Sequence, residues 1–81
     1  MKRNQRVARL VLAAIEQGAG LDGIELFSLS HARTLSGVSL DDWDYAFKLL
    51  LNGGYVTLED PVVHLTWKGH DLLDMLVLSQ G

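Results

Sequence analysis

The 81-residue chain contains no cysteine, which excludes disulfides, thiolate nucleophiles and the usual thiolate-rich structural zinc sites together. A reducing compartment fits that composition, so the expected location is the cytoplasm. Long hydrophobic runs are also missing. Arg9 interrupts the apolar stretch that begins at Val7, leaving only Leu10 to Ile15 unbroken before Glu16, far short of the roughly 20 residues that span a bilayer. The basic start Met1-Lys2-Arg3-Asn4-Gln5-Arg6 imitates a signal peptide, but the apolar core behind it is too short for one. No membrane partner is expected. Positive charge is sparse, with 7 Lys and Arg against 10 Asp and Glu and a net charge of −3, a balance that disfavours a general polyanion binder. No internal repeat or low-complexity segment is present.

What is there suffices for one small domain over residues 1–81. Apolar residues make up 48% of the chain, enough to fill one core, although a chain this short buries only about two-thirds of its unfolded surface. The pattern around which the rest is expected to organise is Ser39-Leu-Asp-Asp-Trp-Asp-Tyr-Ala-Phe-Lys-Leu-Leu-Leu-Asn52 followed by Gly53-Gly54. Ser39 reads as an N-cap and Gly53 as a left-handed stop, bounding a helix of about three and a half turns. Leu40, Trp43, Ala46, Phe47, Leu50 and Leu51 form its apolar face. Asp41, Asp44, Tyr45, Lys48 and Asn52 form the opposite stripe.

Before it, Val7, Leu10, Val11, Ala14 and Ile15 share one face of a first helix ending at Gly18, with Arg3, Arg6, Arg9 and Glu16 off that face. The run from Gly18 to Gly23 is turn material. Ile24 to Phe27 reads as a short strand, and Ser28 or Ser30 caps a short helix through His31 to Leu35 that Gly37 ends. Two helices joined so tightly form a helix-turn-helix. Beyond Gly54, Tyr55 to Leu58 and Val62 to Leu65 read as a hairpin around Glu59-Asp60-Pro61, the last of these the sole proline. Thr66 then caps a final helix from Trp67 to about Leu78, in which Gly69 lets a neighbouring backbone come close. The expected fold is α+β, mostly α: a winged helix-turn-helix in the order α1-β1-α2-α3-β2-β3-α4.

Two stretches also carry a family resemblance. Gly54-Tyr55-Val56 after a leucine-rich helix, then a hairpin, then Leu65-Thr66-Trp67-Lys68-Gly69-His70-Asp71-Leu72-Leu73-Asp74, resembles a small family of uncharacterised winged-helix proteins frequent in phages and prophages. The Met-Lys-Arg start before a helix ending Ile15-Glu16 is similar too. No catalytic residues are established for that family. The resemblance implies a fold and a phage or prophage setting, not a reaction.

A winged helix that reads DNA places its second motif helix in the major groove and its hairpin tip near a phosphate, and both need basic residues. Here those positions carry Asp41, Asp42, Asp44, Glu59 and Asp60, half of the 10 acids. First-turn aspartates and an Asp44–Lys48 pair are also ordinary helix stabilisation, but stabilising acids repel phosphate all the same. The expected binding surface is therefore Asp41, Asp42, Asp44, Tyr45, Lys48, Glu59 and Asp60, with Tyr45 as aromatic anchor. It would meet a protein partner with a basic surface, with inhibition of a nucleic-acid-handling complex as one outcome. The alternative is a DNA-binding regulator of transcription that uses Lys2, Arg3, Arg6 and Arg9 on the first helix together with Arg33 and Lys48.

Catalysis finds no constellation. None of His31, His64 and His70 stands at the spacing of a nucleophile elbow or a zinc-protease helix, and His70 with Asp74 reads as an i,i+4 pair. No enzyme, metal or cofactor is expected. Trp43 and Phe47 read as core, and Trp67 as a cover for the hairpin. Leu72, Leu73, Met75, Leu76, Val77 and Leu78 leave the last helix apolar nearly all round, more than one core absorbs. A homodimer through the terminal helices is therefore expected in preference to a monomer.

Overall fold

A computed structural model of the chain describes residues 5–18, 23–59 and 61–80. Its elements are α1 (Gln5–Gly18), β1 (Ile24–Glu25), α2 (Leu26–Ser36), α3 (Leu40–Asn52), β2 (Val56–Glu59), β3 (Val62–Leu65) and α4 (Trp67–Gln80). The three strands form one antiparallel sheet in the order β1-β3-β2. This is a winged-helix-like α+β fold in the expected element order. The glycine-rich turn expected over 18–23 falls mostly outside the described residues.

The organising element is α1 rather than α3. It packs against α2, α3, α4 and β3, whereas α3 has substantial packing only with α1 and β2. Val7, Val11 and Ile15 are buried as their spacing predicts, and Leu12 is fully buried beside them. The apolar arc of α1 is thus wider than the pattern indicates, because partners surround the helix on several sides. Trp43, Ala46 and Leu50 of α3, Ile24 and Val63 of the sheet, and Leu73 and Leu76 of α4 complete the core with them.

β1 is shorter than expected, and α2 begins at Leu26, ahead of Ser28 and Ser30. The Leu26 N–H donates to the Pro61 carbonyl at 2.8 Å, which closes the β1–β3 pairing and turns the chain out of the sheet. Glu25 takes the N-cap position without a side-chain hydrogen bond, so neither serine caps. Gly37 ends α2 as predicted, at φ 73°. The end of α3 differs by one residue. Gly53 is right-handed and Gly54, at φ 80°, is the left-handed one. The N–H groups of Gly54 and Tyr55 reach back to the Leu51 and Leu50 carbonyls at 3.1 and 2.9 Å, the double closure of a Schellman motif.

Thr66 joins this turn to the start of α4. Its hydroxyl accepts from the Gly69 N–H at 3.1 Å and donates to the carbonyls of Gly54 and Tyr55 at 2.7 and 3.0 Å. Lys68 adds a bond from Nζ to the Gly53 carbonyl at 2.9 Å and lies 4.7 Å from the centre of the Tyr55 ring. The turn after α3 and the start of α4 are thus clamped together, and Thr66 and Gly69 act in that clamp. Thr66→Ala is expected to cost about 1–2 kcal/mol, the range for losing a good N-cap, whereas Thr66→Ser should keep most of the stability. Urea unfolding of both variants checks this.

Trp67 does not cover the hairpin, being 89% exposed. The clamp turns the side of α4 that carries Gly69, Leu73 and Leu76 inward, and Trp67 lies about half a turn from that face. Met75, Val77 and Leu78 also remain largely exposed. No helix among the described residues is long and apolar enough to cross a membrane.

Candidate functional site

The α3 helix starts where Ser39 accepts the Asp42 N–H at 3.2 Å. That cap fixes which residues emerge on the open side: Asp41, Asp42 and Asp44 are all exposed. Lys48 follows Asp44 by one turn and closes on it, with Nζ 3.0 Å from Oδ2. Exposed pairs of this kind contribute only a few tenths of a kcal/mol, but this one occupies the sole basic side chain of α3. Tyr45, on the same side of the helix, is half-buried.

Arg33 is no more available. Its Nη1 donates to the Val38 carbonyl at 2.9 Å, bracing the turn between α2 and α3, and its Nε is buried without a hydrogen-bond partner. Arg6 is exposed on α1. Arg9 is half-buried, with its Nε also buried and unbonded, in a shallow groove that it shares with Glu16 and Asp74. Among the described residues, the two cations of the DNA reading that belong to the helix-turn-helix, Arg33 and Lys48, are thus engaged within the fold. Lys2 and Arg3 lie outside the described residues. So does Asp60.

Strand register splits the acids into two groups. β2 pairs with β3 so that Leu58 faces Val63 and Glu59 faces Val62, and β1 pairs Glu25 with the same Val62. Directly paired residues share a sheet face. Glu25 and Glu59 therefore flank Val62 on the outer face, in front of His64 and Thr57, while Leu58 points to the side of Val63 and Ile24. Glu25 lies outside the surface that the sequence predicts. Its role depends on a non-local pairing between β1 and β3 that no nearby spacing signals.

Between α2, α3 and β2 runs an apolar groove of about 350 Å³. Leu26, Leu40, Phe47 and Leu58 line it, and Asp44 and Lys48 belong to its wall. Helical spacing puts Leu40 on the buried face of α3, yet it is 63% exposed. It occupies the helix's first position.

Among the described residues no three His, Asp or Glu side chains converge in a metal-binding arrangement. His70 meets Glu16 of α1, Nδ1 to Oε2 at 3.8 Å, rather than Asp74, and the contact is an ion pair only when the imidazole is protonated. Comparison with family models, curated proteins and solved structures gives no match.

Proposed function

We propose that the chain is a non-enzymatic binding protein that works by protein-protein contact through α3 and the β2–β3 wing, towards a partner with a basic surface. The observation that carries this reading is the state of the cations around the helix-turn-helix. Lys48 is held by Asp44 and Arg33 by the Val38 carbonyl, while Asp41, Asp42 and Glu59 are exposed. The acids of α3 repel phosphate where a DNA reader gains affinity by releasing counterions, those of the wing do so on a separate face, and each group attracts a cationic protein surface by the same charge. The resemblance of Leu65 to Asp74 to phage and prophage winged-helix proteins supplies the setting, in which interference with a nucleic-acid-handling complex is a natural use. A homodimer through α1 and α4 would cover Met75, Val77 and Leu78, and it leaves α3 and the wing free.

A gel-shift series across salt tests the reading. The wild-type chain is expected to leave duplex DNA unretarded even at about 50 mM salt, where ionic attraction is strong. Specific retardation with a steep salt slope would overturn the proposal in favour of a transcriptional regulator that contacts DNA through α1.

A further inference from the structure

The groove between α2, α3 and β2 narrows the chemistry of the partner, an inference that rests on the protein-binding reading of α3 and the wing. We propose that this groove seats the apolar side chains of a cationic amphipathic segment belonging to a protein partner.

Three observations converge on that occupant. The groove is apolar and open where a helix-turn-helix normally closes: Leu40 is 63% and Leu58 39% exposed. Exposed large side chains gathered at one depression mark a binding site more than the same residues scattered would. Its volume of about 350 Å³ takes the few anchor side chains on which interface energy concentrates.

The second observation is charge. Asp44 belongs to the wall, and Asp41 follows Leu40 and precedes Asp44 by one turn on the exposed side of α3. Lys48 is the only base in the lining and it pairs with Asp44, so the charge left over on this edge of α3 is that of the exposed Asp41. An apolar slot with a net negative edge complements apolar anchors flanked by lysine or arginine.

The third concerns what a second copy could offer. The exposed apolar residues of α4, Met75, Val77 and Leu78, travel with Asp71 and Asp74, so they would bring like charge to that negative edge. The cationic helix α1 keeps Val7, Val11 and Ile15 buried in its own core and cannot present them without unfolding. A different protein therefore fits better than another copy of this chain.

Trp43 lines the groove and is 5% exposed, so a Trp67→Phe background leaves it as the sole tryptophan reporter. The probes are three synthetic peptides of about 15 residues, long enough for four turns of helix. One has leucines at i, i+3, i+4 and i+7 with lysines elsewhere, one replaces its leucines with serine, and one replaces its lysines with glutamate. The leucine-lysine peptide is expected to shift Trp43 emission. Its affinity should fall about tenfold or more, as for loss of an interface anchor, in Leu40→Ser/Leu58→Ser and in Asp41→Asn/Asp44→Asn. Met75→Ser/Leu78→Ser should leave affinity unchanged. All of these replace exposed side chains, and circular dichroism confirms that each variant is folded.

If the serine-lysine peptide binds as tightly as the leucine-lysine one, or Leu40→Ser/Leu58→Ser keeps full affinity, the groove proposal falls while the acidic-surface reading stands. Affinity lost in the leucine variant but untouched in Asp41→Asn/Asp44→Asn would refute the charge argument and that reading with it. Failure of both cationic peptides to bind at about 50 mM salt, where ionic attraction is strong, overturns both. Sedimentation showing a dimer that Leu40→Ser/Leu58→Ser dissolves would assign the groove to a second copy instead.

Discussion

Gly69→Ala is expected to lower the melting temperature by on the order of 5–15 °C, although alanine is the better helix former by about 1 kcal/mol. The reason is what lies opposite. A Cβ at position 69 would collide with the Tyr55 carbonyl oxygen, and the Tyr55 carbonyl carbon and Leu65 side chain are close behind it. Flexible side chains can swing away from an added methyl, but this oxygen is backbone and is held. It accepts the Thr66 N–H at 3.1 Å and the Thr66 hydroxyl at 3.0 Å. Moving it aside gives up those bonds, each contributing about 1 kcal/mol, and leaving it in place adds an overpacking cost of about 1–3 kcal/mol.

The oxygen either moves or stays, so the net loss after the helix-propensity gain is roughly 1–2 kcal/mol, against a total stability on the order of 4–12 kcal/mol for a domain of this size. His70→Ala, one residue on and exposed, serves as the control and should stay within about 0.5 kcal/mol of wild type. Thermal and urea unfolding read both. A melting temperature that rises in Gly69→Ala would mean that the α4–Tyr55 approach is looser than the geometry describes.

Gly69 also shows what is legible in the sequence. A glycine inside an otherwise helical pattern already signals a close backbone, and Thr66 reads as a cap, but that both meet the Gly54–Tyr55 backbone is known only from the structure. Element order is readable for the same reason, since caps, stops and changes of period are local. What escapes is non-local. Residues 24–27 look like a strand, but the bond from Leu26 to the Pro61 carbonyl, across more than thirty residues of chain, ends β1 after Glu25. Leu12 and the central role of α1 stay hidden because helical spacing gives the direction of burial, not the number of partners.

The candidate surface divides in the same way. The acids of α3 and the pairing of Asp44 with Lys48 follow from i,i+4 geometry and are present. Their separation from Glu59, the arrival of Glu25 across Val62 from it, and the groove left between α3 and β2 all depend on register and docking. Trp67 departs from expectation because aromatic identity suggests burial, whereas the clamp sets which face of α4 turns inward.

If charge alone keeps this scaffold off DNA, then reversing it on α3 should create a binder. Asp41→Lys/Asp44→Lys changes the charge of the helix by +4 and releases Lys48 from its 3.0 Å partner. Positions 41, 44 and 48 lie at i, i+3 and i+7, so three cations then line one stripe of the second helix of the motif. A lysine in the first turn costs about 0.3–1 kcal/mol against the helix dipole, and both aspartates are exposed, so the fold should survive. Three phosphate contacts correspond to a salt slope of about −2.7, or a loss of roughly 40-fold in affinity between about 50 and 200 mM salt. The variant is therefore expected to retard duplex DNA without sequence preference at the lower salt, to release it at the higher, and to lose the cationic leucine peptide. A folded variant that stays off the duplex at about 50 mM salt would show that charge is not what separates α3 from DNA, and the case for an acidic protein-binding surface would lose its physical basis.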